Sequence, residues 1–357
     1  MKILFAVNSN GLGHTTRCIP LIRSLIKDHD IYIMASFRSL DFLKNEFKHK
    51  VKKYFDVPDY SFQNRAFLAS KFSISKFLIN VPLYLNEVRR ENTRFKRLHK
   101  RYQFDRIISD SRIGVFDKNV PSFLIDNHIR ITVPKIGIIS EDLTELTTYL
   151  ATKYFKKILI PDFKENSISG NLTHNFRYLS DKKIEYLGIL SMTKKERVKS
   201  DIDYFFSISG PEPQRTQFQK LVYKKIKTIK DKKIVITLGK PEKEYYKKKG
   251  NVEIFGFLNN KKQSEIMNRS KLIIARSGLS TLSDICELGK KALFVPTKGQ
   301  PEQEYLAKFH HDKNHFLHRT IDEFNIPKDL NDAMKFDGYK KEHNTDESIK
   351  KFLDVVL

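Results

Sequence analysis

Short apolar runs alternate with helix-periodic stretches along most of the chain. The first run, residues 2–7, is followed by a Gly-containing turn and by helical periodicity over about 13–27, which is a βα unit. Runs at 30–35, 51–57, 106–109, 122–126, 157–160 and 184–187 predict further strands, with helical patterns between several of them. That rhythm predicts a parallel, doubly wound sheet. Around 188–201 it gives way to a polar, charged stretch centred on 192–197, and 191–200 reads as an inter-domain linker. The alternation then restarts, with strands predicted at 204–209, 233–238, 252–257, 272–275 and 292–296. Helices are predicted at 214–230, 261–268, 280–288 and 302–309.

The expected organisation is α/β: a Rossmann-like domain over 1–190 and a second over 201–340. A C-terminal helix within 341–357, periodic over 346–356, is expected to pack back on the first domain. Two such domains facing one another bring the C-terminal edges of their sheets to a shared cleft, so residues just after strands become the candidates for chemistry.

Length agrees: 357 residues suit two domains or one large α/β unit and exclude a peptide hormone or disulfide mini-scaffold. A net charge of +24 calls for an anionic partner, whether nucleic acid, an acidic membrane surface or a phosphate-bearing substrate. With 40% apolar residues and dispersed charge, the chain is a globular protein and not a basic tail. No RNA- or DNA-binding motif is present, so nucleic-acid binding is the weakest reading and no nucleic-acid partner is expected. The lysine-rich region 220–249 reads as a solvated helix face and loop.

Cys18 and Cys286 form no disulfide framework and suit buried packing positions in a reducing, cytoplasmic compartment. The opening apolar run is too short for a signal peptide. The most apolar later stretch, 77–85, is broken by Asn80 and Pro82 and is too short to span a bilayer, so any membrane contact is expected to be peripheral.

Two motifs carry candidate chemistry. Asn8-Ser9-Asn10-Gly11-Leu12-Gly13-His14-Thr15-Thr16-Arg17 joins the first strand to the first helix. Its glycines permit tight backbone turns, and the free N–H groups of a helix start favour negative charge. The dinucleotide fingerprint is absent, because Thr16 holds the third glycine position and the second strand ends Met34-Ala35-Ser36 without a ribose-binding acid. His14 is a candidate general base, or alternatively a capping or surface histidine. The second motif runs from Leu272-Ile273-Ile274-Ala275 through Arg276-Ser277-Gly278-Leu279-Ser280 to Asp284, and is followed past the next strand by Gly299-Gln300-Pro301-Glu302-Gln303-Glu304. A strand feeding Ser-Gly and then a helix offers amides to a diphosphate, and Asp284 with the Gln and Glu side chains suits ribose and sugar hydroxyls. Singly, each is equally a cap or a surface group; together, at successive strand ends, they point to a nucleotide-sugar site.

At these residues the sequence resembles the GT-B glycosyltransferases of the MurG-like group, the family 28 UDP-GlcNAc transferases. The resemblance is closest over 253–307 and at the N-terminal loop. It implies an inverting transferase with the UDP-sugar donor on the C-terminal domain and the acceptor on the N-terminal domain. By the same resemblance Phe257 and Leu258 border the base, Leu279 and Ser280 meet phosphate, and Asp284, where the family usually has Glu, holds ribose. Gln303 and Glu304 stand where the family has a Gln-Gln pair that reads the donor sugar, and Glu304 departs from it. Gly210, Gln214 and Arg215 occupy a second Gly-rich loop whose two prolines remove backbone donors.

The expected reaction is attack by an acceptor hydroxyl, deprotonated by His14, with UDP leaving onto the helix start; no cofactor or metal is required. The Asp-x-Asp pairs at 28–30 and 201–203 precede strands and should lie at the far edge, and a metal site at His310, His311, His315 and His318 is not expected. Asp110, Asn127 and His128 are further cleft candidates, Asp110 and His128 as rival bases or acceptor ligands, or alternatively as loop residues hydrogen-bonded to backbone. A hydrolase of the same fold, with water as acceptor, is the alternative activity. Finally, Phe62, Phe67, Phe72 and Phe77, with Arg65, Lys71 and Lys76, precede a helical segment bearing Arg89, Arg90, Arg94, Lys96, Arg97, Lys100 and Arg101. This region suits an anionic membrane interface or, equally, a core with a solvated helix face. In the MurG-like group such a patch approaches lipid-linked acceptors, so a lipid-linked or cell-envelope glycan acceptor is implied.

Overall fold

The computed structural model describes residues 1–9, 11–58, 74–130, 137–240 and 245–357, with backbone alone for 74–81 and 137–140. The chain divides into two compact units, residues 1–190 with 343–357, and residues 191–342. In unit 1, strands β1 (Lys2–Val7), β2 (Asp30–Ala35), β3 (Lys53–Asp56), β4 (Arg106–Asp110), β5 (Ser122–Ile125), β6 (Lys157–Ile160) and β7 (Ile184–Tyr186) form one parallel sheet. Its order is β3-β2-β1-β4-β5-β6-β7. Helices α1 (Leu12–Leu25), α2 (Phe37–Phe47), α3 (Ile74–Tyr102) and α4 (Gly137–Ala151) connect the strands. Every residue from Ile3 to Val7 is fully buried, as expected of a parallel strand covered on both faces.

Unit 2 repeats the plan. Strands β8 (Ile202–Ser207), β9 (Ile234–Thr237), β10 (Tyr246–Lys249), β11 (Val252–Phe255), β12 (Ser270–Ala275), β13 (Lys291–Phe294) and β14 (Leu317–His318) take the order β10-β11-β9-β8-β12-β13-β14. All pairings are parallel except the β10–β11 hairpin. Helices α5 (Gln214–Lys225), α6 (Asn260–Arg269), α7 (Leu279–Leu288), α8 (Pro301–Asp312) and α9 (Lys328–Ala333) accompany them. Phe206, Ile236, Ile274 and Leu293 from the sheet pack with Phe218, Phe324 and Leu330. The sequence pattern predicts neither β10, β14 nor α9. β10 reads Tyr-Lys-Lys-Lys with all four residues exposed, the composition of a guarded sheet edge and not of a core strand.

Helix α10 (Thr345–Val356) packs on unit 1, where Arg106 Nε donates to the Val356 carbonyl at 3.1 Å. Gly188 makes room for the returning chain: at φ +91°, a Cβ there would stand 2.2 Å from the His343 ring. Residues 191–200, expected as a linker, are fastened to unit 2: Glu196 N donates to Asn268 Oδ1 at 2.9 Å, and Asn268 Nδ2 to the Lys194 carbonyl at 2.9 Å. The strand order switches direction between β1 and β4 in unit 1 and between β8 and β12 in unit 2. Open α/β sheets bind ligands at the C-terminal strand ends beside that switch point.

Candidate functional site

At the switch point of unit 1, Val7 pairs with Asp110, so the loop after β1 meets the end of β4. Gly11, at φ +85°, lets the chain turn into α1, whose start carries no side-chain cap. One turn in, His14 Nδ1 lies 2.6 Å from Asp110 Oδ1. An ionised carboxylate has no proton to give, so the His14 Nδ1–H donates. Arg17 grips the same carboxylate in two-pronged fashion, Nε to Oδ2 at 2.6 Å and Nη2 to Oδ1 at 2.8 Å. The Cys18 thiol adds a third donor at 3.1 Å.

Burial alone would raise the Asp110 pKa, but Arg17 and then His14 outweigh it and hold the carboxyl well below its usual range. Arg17 is itself fixed by Asn127 Oδ1, which Nη1 meets, and by Ser111 Oγ at 3.3 Å. The His128 ring lies 6.4 Å from that of His14, and its backbone N–H donates to Asp126 Oδ1.

Unit 1 thus brings together His14, Arg17, Asp110, Asn127 and His128, with two corrections to the sequence reading. Asp110 is no rival base, because it is fully buried and its oxygens are taken by His14, Arg17 and Cys18. Thr15 faces away, its hydroxyl bonding Ser39 Oγ at 2.8 Å, because one residue along a helix turns the side chain to the α2 side. Gly13 lies in the first turn of α1. Asn10 lies outside the described residues, as do Phe62, Arg65, Phe67, Lys71 and Phe72 and the side chains of Lys76 and Phe77.

In unit 2 the helix α7 starts three residues after β12. Its N-cap, Gly278, has no side chain to offer, and the amides of Leu279, Ser280 and Thr281 precede the first intrahelical bond, from Leu282 N to the Gly278 carbonyl. Such a start carries a partial positive charge. Arg276 lies behind it, 2% exposed. It donates to the carbonyls of Val295 (2.7 Å), Pro296 (2.8 Å) and Gln214 (3.2 Å) and stacks on Phe218. Burial lowers its pKa to about 10, and among the described residues no carboxylate pairs with it.

Among the described residues, four polar atoms at this one edge are buried without partners: Arg276 Nε, Gln214 Oε1, Thr297 Oγ1 and Gln300 Oε1. Each buried group left unmatched costs about 1–3 kcal/mol, which marks the place where a ligand's donors and acceptors belong.

Several side chains expected to face a ligand are committed elsewhere. Gln303 Oε1 accepts from Thr297 N and Glu304 Oε1 from Gly299 N, so both fasten the loop after β13. Ser277 Oγ donates to the Gln303 carbonyl. Arg215 pairs with Glu212 and donates to the Gly239 carbonyl, closing the loop that contains Gly210. Leu258 is core, whereas Phe257 is exposed. Glu302 lies in the first turn of α8. Asp284 Oδ1 accepts from Ser191 Oγ at 2.6 Å, and burial lifts its pKa to about 6 against the hydrogen bonds of Ser191 and Thr193.

Residues 1–182, just over half of the chain, match the model of glycosyl transferase family 1. The chain belongs to this family. Residues 214–356 of this glycosyltransferase match the glycosyltransferase family 28 C-terminal domain. No curated protein matches its sequence.

Among solved structures it resembles CalG4, the calicheamicin glycosyltransferase, with 12% identity and a TM-score of 0.62 over 99% of this chain and 94% of that one. Acinetobacter baumannii MurG is similar at 10% identity and a TM-score of 0.60, covering 100% and 99% of the two chains. The UDP-GlcNAc 2-epimerase of Methanocaldococcus jannaschii follows at 12% and 0.57, covering 99% of each. The fold of this glycosyltransferase is therefore GT-B.

The sequence reading missed Thr297, Ser191, Thr193 and the role of Ser111. Thr297 alone had a signal, since it directly follows a predicted strand. The acidic pairs fall at the opposite strand ends: Asp201 bonds Arg269 and Lys233, and Asp203 bonds Lys271. His310 and His311 of α8 have separate partners, the His315 ring for His310 and the His318 backbone N–H for His311.

Among the described residues no helix is long and apolar enough to cross a membrane. On α3, Arg90, Arg94, Arg97 and Arg101 are exposed, and their spacing of four, three and four sets them on one helix face. Leu83 and Leu85 are exposed toward its N-terminal end.

Proposed function

We propose that this glycosyltransferase moves a sugar from a nucleotide-diphosphate donor, UDP-linked, to an acceptor hydroxyl with inversion, unit 2 holding the donor and His14 of unit 1 acting as general base. The observation that carries the reading is Arg276, a buried guanidinium without a carboxylate beside the uncapped start of α7. An anion there is received by the α7 amides and by the field of Arg276. Gln214, Thr297 and Gln300 are assigned to the donor's hydroxyl groups, and Asp284 to ribose.

In the reaction the acceptor O–H gives its proton to His14 Nε2, and the oxygen attacks the anomeric carbon. The bond from that carbon to the β-phosphate oxygen breaks, and the electron pair leaves with UDP onto the α7 amides. As proposed, the step calls for no metal. The arginine face of α3 with Leu83 and Leu85 supports peripheral contact with an anionic membrane and hence a lipid-linked acceptor.

A thermal-shift panel of UDP, TDP and GDP tests the donor half. Ligand at 100 times its Kd adds about 2.7 kcal/mol of apparent stability, so UDP should raise the Tm strongly and Arg276→Gln should erase most of the rise. No response to any nucleoside diphosphate overturns the reading. Sugar release without acceptor, at rates comparable to transfer, replaces it with the hydrolase.

A further inference from the structure

We infer that Arg17 is a positioning residue that keeps His14 neutral and aimed, by cancelling the charge of Asp110 and clamping its two oxygens. The inference rests on His14 being the base. A histidine bonded only to a buried carboxylate has its protonated form stabilised, so near neutral pH its outer nitrogen would already carry a proton.

Here the carboxylate does not act alone. Arg17 holds Oδ1 and Oδ2 together, and its Nη2 stands 2.9 Å from His14 Nδ1. That nitrogen spends its proton on Asp110, so the contact with Arg17 is charge against ring and not a hydrogen bond. A fixed cation at this distance opposes a second proton on the imidazole. The site is thereby balanced: Asp110 fixes the tautomer, and Arg17 removes the excess basicity that Asp110 would confer.

Other groups reach the cluster from α1, the loop after β5 and α3. Cys18 on α1 bonds Asp110 as a neutral thiol, its pKa pushed up chiefly by burial. Asp126, after β5, acts on Arg17, and Tyr84 of α3 faces Asp126. The His128 ring stands 6.4 Å from that of His14. None of these contacts supplies a second cation at His14 Nδ1. Asn127 and Ser111 tie Arg17 to the loops after β5 and β4, so three strand ends hold one ring. The planar fork is what the geometry uses, and a lysine would keep the charge without the two-pronged grip.

The test follows the His14 imidazole by NMR in full-length protein with labelled histidine, assigning its signal among the eleven histidines by its loss in His14→Gln. Arg17→Gln should move the His14 midpoint upward by about one pH unit or more, since a unit charge at contact distance has been removed. Asp110→Asn leaves Arg17 unopposed and should move it downward. Arg17→Lys should leave the midpoint near that of the wild type while kcat falls and KM changes little. The acid limb of the transfer pH profile should follow the same order.

An unmoved midpoint in folded Arg17→Gln overturns the inference, as does Arg17→Lys shifting like Arg17→Gln. Should Arg17→Gln not fold, an Asp110→Asn midpoint that fails to drop overturns it equally. If the midpoints move as stated but His14→Gln retains full transfer activity, the assignment of the base fails while the electrostatic role of Arg17 stands.

Discussion

Replacing Asp284 with Asn should stabilise unit 2 at neutral pH and weaken nucleotide binding. Burial raises the carboxyl from 3.8 to about 6, although Ser191 and Thr193 donate to it. Between these values the folded state keeps a proton that the unfolded chain releases. Stability from this group is therefore fully present below pH 4, declines as pH rises, and is gone above about pH 6. A shift of roughly two units corresponds to about 3 kcal/mol, and this is a ceiling because the side chain keeps partial exposure.

Asn has the same shape, can accept from Ser191 and never ionises. The stability difference between Asp284→Asn and wild type should start near zero at pH 4 and grow to at most about 3 kcal/mol by pH 7. Urea unfolding of the full chain across that range measures it, the step that differs between the two proteins reporting unit 2. Meanwhile UDP affinity should fall under the proposed function: Ser191 and Thr193 take Oδ1, and the amide nitrogen in the place of Oδ2 cannot accept from a ribose hydroxyl. A difference that stays flat with pH, or that becomes less favourable to Asn as pH rises, refutes the argument.

Other expectations are more direct. His14→Ala should lower the rate of transfer by about 10²–10⁴, the usual worth of a positioned base, with UDP affinity unchanged; stopped assays and calorimetry check both. Cys18 and Cys286 are buried, so a thiol reagent should label neither in the folded protein and both in denaturant. Glu91→Ala strands buried Arg112, whose Nε donates to Glu91 at 2.7 Å, and should cost about 3–5 kcal/mol in denaturant unfolding. Replacing Arg90, Arg94, Arg97 and Arg101 by Gln should abolish co-sedimentation with anionic vesicles. Retention on neutral vesicles equal to that on anionic ones would remove the membrane contact.

Why some elements are plain in the sequence and others hidden follows from burial. A parallel strand covered on both faces is apolar at nearly every position, so 3–7 and 272–275 stand out as uninterrupted runs. β10 has the reverse requirement: an edge strand that resists pairing with other chains is lysine-rich and has no apolar signature. β14 has only two residues, and α9 is little more than a turn and a half, too short for periodicity to build.

The site is subject to a subtler limit. Position along the chain identifies which residues follow strands, and so placed His14, Asp110 and Arg276 at the ligand edges of their sheets. It cannot show which way each side chain turns, because that depends on partners from distant segments. Arg276 turns inward because carbonyls from 214, 295 and 296 converge only after folding. Gln303 and Glu304 turn back because the loop after β13 needs acceptors for its own amides.

A polar residue whose hydrogen bonds are met inside the protein has little left to give a substrate, whereas one buried with bonds unmet has no other outlet. By that criterion the proposed function assigns donor reading not to the motif's Gln303 and Glu304 but to Gln214, Thr297 and Gln300, two of which lie more than 80 residues from the third along the chain. It also explains why Asp110 and His14, neither decisive alone, form one connected cluster once Arg17 joins them, the cluster to which the proposed function assigns the base. The chemistry belongs to the pairing across β1 and β4, which no single stretch of sequence contains.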